Sequence, residues 1–182
     1  MGDVDRNIGM SEEDKATLEQ ELAEELDWGT PQPENILVRG ALLECDCGTH
    51  PRRMNLPKSY GSYVDEEMEH PFVSEKDCFF CTEGARDGNI TFFGVCESEN
   101  NDSPDKEEVC LRPYGDTSTV ENKIGTKCKP VIVGQWLNPV KESYVEEDGK
   151  KYLKIKSQSV LICKYGGIIQ VKESGQTYEE ET

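Results

Sequence analysis

Apolar positions along the chain fall into short runs, not long stripes. The first strong run, Ile36 to Cys47, predicts a β-strand with Gly40 as a bulge. Short strands are expected at 53–56 and 61–64, separated by Pro57-Lys58-Ser59, with a brief apolar pair at Phe72-Val73. Asn89 to Cys96 reads as the next strand, and strand character returns over 127–136. The plainest hairpin spans 143–155: Asp148-Gly149 suits a type I′ turn between Tyr144-Val145 and Tyr152-Leu153. Strands over 159–163 and 168–171 follow, joined by Gly166-Gly167.

Two of these runs repeat one pattern. Ala41 to Gly48 and Ser159 to Gly166 each begin with a small residue and an apolar pair. Each places a cysteine two residues after a leucine and a glycine three residues after that cysteine. Ile90 to Cys96 carries glycine and cysteine in another order. The chain reads as strands that return a cysteine to one shared place.

The helical period appears once. Ser11 is placed to N-cap a helix, with Asp14 at the capping-box position and Glu12 and Glu13 in the first turn. Leu18, Leu22 and Leu26 recur at i, i+4 and i+8, with Trp28 beyond, before Gly29 and a Pro31/Pro33 linker end the segment. This stripe packs on its own domain or docks a partner. The expected organisation is a helical appendage over 1–35, a β domain over 36–172 with an acidic loop insertion near 97–120, whose part 97–108 is expected to be mobile, and an acidic tail over 173–182. The expected fold class is mainly β: a compact, cone-like fold of short strands with pseudo-three-fold repetition, plus the N-terminal acidic helix.

Composition sharpens this picture. Only 35% of the 182 residues are hydrophobic and 31% are charged, while Gly (16), Pro (9) and Cys (8) are frequent. Such a chain builds a thin core and needs other ties. The net charge of −17 argues against nucleic acid and anionic membrane surfaces as partners. No apolar run approaches the ~20 residues of a membrane span, so no stable membrane anchor is expected. Met1 to Arg6 lacks the basic and apolar regions of a signal peptide, and Arg6 stands where a myristoylation signal wants Ser or Thr. The expectation is synthesis in the cytoplasm, where thiols stay reduced. Asn89-Ile90-Thr91 is then a chance glycosylation sequon.

Candidate chemistry centres on cysteine. His50 and His70 are the two histidines, and neither lies in a G-x-S-x-G or H-E-x-x-H context; no glycine-rich phosphate loop precedes a helix. No catalytic residue is assigned. Cys78 and Cys81 form a C-x-x-C that suits a metal knuckle or two buried thiols. The other cysteines are scattered, one or two per strand, which suits strands converging on a structural zinc.

These pieces resemble, in order, the cysteine-containing branch of the PAAR-like family, the proteins that sharpen the spike of contractile injection systems. The resemblance rests on Arg39 to Gly48, on Asn89-Ile90 with Phe93 to Cys96, on Lys127 to Pro130 with Val133 to Trp136, and on Leu161 to Ile168, covering roughly 36–172. The Pro-Ala-Ala-Arg motif is absent, and cysteines fall where the better-known members use mainly histidines. The resemblance implies a non-catalytic β cone that caps a trimeric, VgrG-like spike protein, one chain per trimer, with a metal near its apex. Such a protein would be made in the bacterial cytoplasm, assembled on a type VI secretion-like or phage-tail-like particle, with an effector as a further partner, and delivered to or across a target membrane on firing. Cys45, Cys96, Cys128 and Cys163 are the expected zinc ligands, with Cys47 as alternate. Trp136, Ile132 and Ile168 are expected at the spike-facing base, and Leu18, Leu22 and Leu26 as further partner contacts. Two other readings compete: a disulfide-stabilised secreted binding module, and a Cys-dependent toxin or enzyme domain.

Overall fold

A computed structural model describes residues 11–25, 33–81, 86–104, 106–114 and 121–179, with the side chains of 22–25 excepted. The fold is mainly β. One helix, α1 (Glu12–Glu25), precedes short strands β1 (Leu42–Cys45), β2 (Arg52–Arg53), β3 (Glu108–Leu111), β4 (Lys123–Thr126), β5 (Ile132–Leu137), β6 (Tyr144–Glu147), β7 (Lys150–Leu153), β8 (Val160–Cys163) and β9 (Ile168–Glu173). Five strands form an antiparallel sheet in the order β2-β1-β9-β8-β5, while β3-β4 and β6-β7 are two-stranded ribbons.

The repeat seen in the sequence is a structural repeat. β1 (LLEC) and β8 (VLIC) flank β9 and share one burial pattern, with only the third residue partly exposed. Each ends on its cysteine and turns at once: Gly48 N–H donates to the Cys45 carbonyl at 2.9 Å, and Gly166 N–H to that of Cys163 at 3.0 Å. Gly166 adopts φ +89°, which L side chains resist, so the glycine three residues after the cysteine has a conformational reason there.

Several expected strands are narrower than predicted. Gly40 turns the chain at φ +94°, and its close contact with the Tyr178 ring leaves no room for a Cβ. Ile36 and Val38 therefore make isolated bridges to Lys156 and Phe72, and regular strand begins only at Leu42. In the segment 89–96, Gly94 at φ +71° breaks the strand into single bridges, Ile90 with Phe80, Val95 with Lys127 and Cys96 with Gly48. Only Arg52–Arg53 survives of the 53–56 expectation, and of 61–64 only the Tyr63–Pro71 bridge. The 143–155 hairpin is as expected, with Asp148 and Gly149 at φ +51° and +78°.

The described residues of the acidic insertion are tied down more than their composition suggests. Ser98 Oγ donates to the Tyr165 carbonyl at 2.5 Å, Glu107 pairs with Lys129 at 2.8 Å, and β3 pairs along its length with β4. Cross-strand pairing and ion pairs hold a segment with few buried side chains.

The core lies against the large sheet. Trp136 is fully buried, and its Nε1–H donates to the Asp77 carbonyl at 2.9 Å. Ile132 is 1% exposed in the same cluster. The structure thus places Trp136 and Ile132 inside the domain, not on a face open to a partner. Ile168, partly exposed, packs instead beside Leu137 and Val160.

Helix α1 begins as predicted. Asp14 N–H donates to Ser11 Oγ at 3.1 Å, and Ser11 Oγ–H donates to Asp14 Oδ2 at 2.6 Å. Leu18 packs on the Leu137–Val160 cluster, and Glu19 Oε1 accepts the Asn138 N–H at 2.9 Å. Through Leu18 the helix docks on its own domain. The Leu22 side chain, Leu26 and Trp28 lie outside the described residues.

Candidate metal centre

One end of the large sheet gathers cysteines from separate parts of the chain. β1 delivers Cys45 to the edge of β9, and β8 delivers Cys163 to the other edge. The following Gly167 sits between them: a Cβ there would lie 2.8 Å from Cys45 Sγ and 3.6 Å from Cys163 Cβ. The β1 turn then brings Cys47, whose carbonyl accepts Glu97 N–H at 2.7 Å, next to Cys96, which bridges Gly48. Cys128 closes the group from a fourth segment. Its N–H donates to the Gly94 carbonyl at 2.7 Å, and its Sγ lies 3.3 Å from where a Gly48 Cβ would be.

The electrostatics show how closely these thiols feel one another. Cys45 and Cys128 share a hydrogen bond, which lowers the Cys45 pKa and raises that of Cys128. Ionising both of two adjoining sulfurs is opposed by the charge on the first. Burial, then negative charge at Cys45, Cys96 and Cys163, pushes Cys128 further up. Cys47 is pushed up to about 11, first by burial, then by Asp46 and Cys45. Cys163 is raised chiefly by burial, against hydrogen bonds that include one from Val131 N–H to its Sγ at 3.4 Å. Crowded, desolvated thiols resist full ionisation unless a cation compensates the charge.

The donor set fits a soft divalent ion such as zinc in type and number: four cysteines from four segments, with Cys47 beside them. The sulfurs are not yet at ligand spacing. Tetrahedral thiolates at ~2.3 Å from zinc stand about 3.8 Å apart. Among the described residues no three of these sulfurs lie within 4.8 Å of one another.

The remaining candidates fall elsewhere. Cys78 is buried with its Sγ 3.8 Å from the Gly134 carbonyl, while Cys81 lines a cleft away from the cluster. Cys110 is exposed on β3. His50 adjoins the cluster in sequence, but both ring nitrogens are engaged. Val95 N–H donates to Thr49 Oγ1, the Thr49 hydroxyl lies 2.7 Å from Nδ1, and Nε2–H donates to the Arg112 carbonyl at 2.5 Å. The imidazole is a strut between loops, consistent with histidine lying off the repeated strands.

Sequence reasoning missed a second constellation. Asp65, Glu69 and His70 present ligand atoms within 4.8 Å of one another. Here the polar groups already satisfy each other. His70 Nδ1 bonds Asp65 Oδ2 at 2.5 Å, its Nε2 bonds the Tyr178 carbonyl at 2.8 Å, and Asp65 Oδ1 accepts the N–H groups of Glu69 and His70. The hydrogen bond to Asp65 raises the His70 pKa and holds the Asp65 carboxyl below its usual range. We read it as a tie between a turn and the C-terminal segment. The spacing Asp65-x-x-x-x-His70 is no known signal.

Residues 37–176 match a family model described as a domain of unknown function, DUF4280. The chain belongs to this family. The match covers every cysteine of the cluster and most of the described β structure, and it begins after α1. No curated protein and no solved structure matches the chain.

Proposed function

We propose that this DUF4280 chain is the tip of a contractile injection spike: one non-catalytic chain that caps a trimeric spike protein, stiffened at one end by a structural zinc. The observation that carries this reading is the gathering of Cys45, Cys96, Cys128 and Cys163 at one end of the sheet, with Cys47 beside them. Four chain segments deliver them, two through the same strand–turn unit. The ordered resemblance of those segments to spike-tip proteins supplies the context.

The physical logic is mechanical. A chain with short strands and few hydrophobic residues has little apolar burial to stiffen a narrow end. When bound, zinc would supply a strong multidentate crosslink between strand ends, and its binding free energy is folding free energy. Cys45 and Cys163 would hold the two repeated turns, and Cys128 and Cys96 would fasten the irregular segments to them. Buried Trp136 and its bond to Asp77 would keep the sheet from shearing under load. No stable membrane anchor and no nucleic acid is part of this reading; synthesis is in the bacterial cytoplasm, with assembly on the particle.

Co-purification with a cognate trimeric spike protein tests the reading. Binding that survives purification is expected, and no complex at any concentration tried would refute it. A disulfide-stapled module is the rival reading, since the neighbouring Cys45 and Cys128 would be its first pair. Thiol counting without reductant separates the two.

A further inference from the structure

A cleft of about 740 Å³ opens on another part of the domain, where Arg39, Arg53, Arg86 and His70 outnumber the two lining carboxylates, Glu69 and Glu179. This is unexpected in a chain of 37 acidic and 20 basic residues. His70 stands as a double donor, to Asp65 and to the Tyr178 carbonyl. Arg53 is anchored: Nη1 donates to the Gly40 carbonyl at 3.1 Å and to Glu173 at 2.8 Å, and its guanidinium lies 4.1 Å from the Tyr178 ring centre. Arg39 is partly buried, and a single long bond of 3.4 Å to the Glu69 carbonyl occupies only one of its nitrogens. A guanidinium offers five donors, so Arg39 keeps most of its capacity for an anion.

The wall is not purely polar. Met68 lines the cleft and is 65% exposed, and Val64 in the same loop is 41% exposed. Among the described residues that line it none opens a helix, the usual cradle of a free phosphate. Charge beside an exposed thioether suits a polypeptide with carboxylates next to an aliphatic side chain. The volume falls within the ~300–1,000 Å³ of sites that take ligands of such size. The chain itself shows the geometry of entry: Tyr178-Glu179 already runs along one wall, its backbone held by His70 and its ring by Arg53.

We propose that this cleft docks an acidic segment of a partner polypeptide, with Arg39 as the principal carboxylate grip and Met68 as the apolar contact. The site is distinct from the cysteine cluster, and its test is independent of any spike protein or metal.

The probe is a fluorescent acetyl-Glu-Leu-Glu-Glu-amide peptide, titrated with the full chain and followed by anisotropy. The expected result is saturable binding that weakens as salt is raised and is absent for the Lys-Leu-Lys-Lys counterpart. Arg39→Ala should weaken binding ~10-fold or more, as loss of a charge-assisted contact does. Arg39→Gln should do the same, and near-UV circular dichroism confirms folding of whichever variant is used. Met68→Ser should weaken the glutamate–leucine peptide but not an all-glutamate one. Equal binding of the lysine peptide, no binding of the acidic peptide, undiminished binding by both folded Arg39 variants, or displacement by equimolar inorganic phosphate would each overturn the proposal.

Discussion

Cysteine placement decides most at the residue scale. Protein expressed in the cytoplasm and purified without chelator should carry about one zinc per chain. Cys45→Ser and Cys128→Ser should each abolish it and cost several kcal/mol of stability, while Cys110→Ser, on the exposed face of β3, should change neither. Elemental analysis with denaturant melts checks both outcomes. Gly48 is a steric sensor of the same region. A Cβ there would meet the Phe93 carbonyl at 2.6 Å and the Phe93 Cβ at 2.7 Å, so Gly48→Ala should destabilise by about 1–3 kcal/mol through backbone displacement. The Asp65–His70 tie gives a pH signature. His70 is raised above 6.5, so its contribution is complete below 6.5 and is lost as pH rises through the raised value. Asp65 is lowered below 3.8, so its contribution is present above 3.8 and is lost as pH falls through the lowered value. The difference in Tm between the natural chain and His70→Gln should therefore be greatest between these limits and shrink on either side. A difference independent of pH would contradict the tie. These side-chain partnerships were illegible in the sequence, because Asp65 with His70 and Arg39 with Arg53 form no spaced motif. The two strands that end on Cys45 and Cys163 were legible, because they carry a repeated local pattern.

Element by element, the sequence was read best where a turn residue had one physical meaning. Asp148-Gly149 needs positive φ at both positions and gave its hairpin, and Ser11 gave the helix start. It was read worst where a glycine was taken as a minor feature of a strand. Gly40 and Gly94 end regular pairing instead of bulging it, and only close contacts elsewhere in the chain, Tyr178 against Gly40 and Thr49 with His50 against Gly94, explain why. For Trp136 and Ile132, strand periodicity says which face they share but not what covers it, and core packing is the role their burial shows. Helix α1 docks through a satellite cluster, apart from the main core. Deleting residues 1–30 should then leave the β domain folded with a small loss in Tm. A double substitution, Leu137→Ser with Val160→Ser, should by contrast release the helix, seen as faster amide exchange over 12–25. Collapse of the whole domain on helix deletion would contradict this division.

At the scale of the whole molecule, a single chain reuses one strand–turn unit on either side of a central strand and adds two irregular segments to it. That economy places cysteines from distant positions at one end of the sheet. It is also how an asymmetric chain can meet a partner of higher symmetry: once, and in one copy. The most direct test is the mass of the purified complex with the spike protein, measured by light scattering on a sizing column. The expected result is three spike chains to one chain of 20.5 kDa, with the unbound chain monomeric. A complex of three with three, or a stable homotrimer of the free chain, would contradict it.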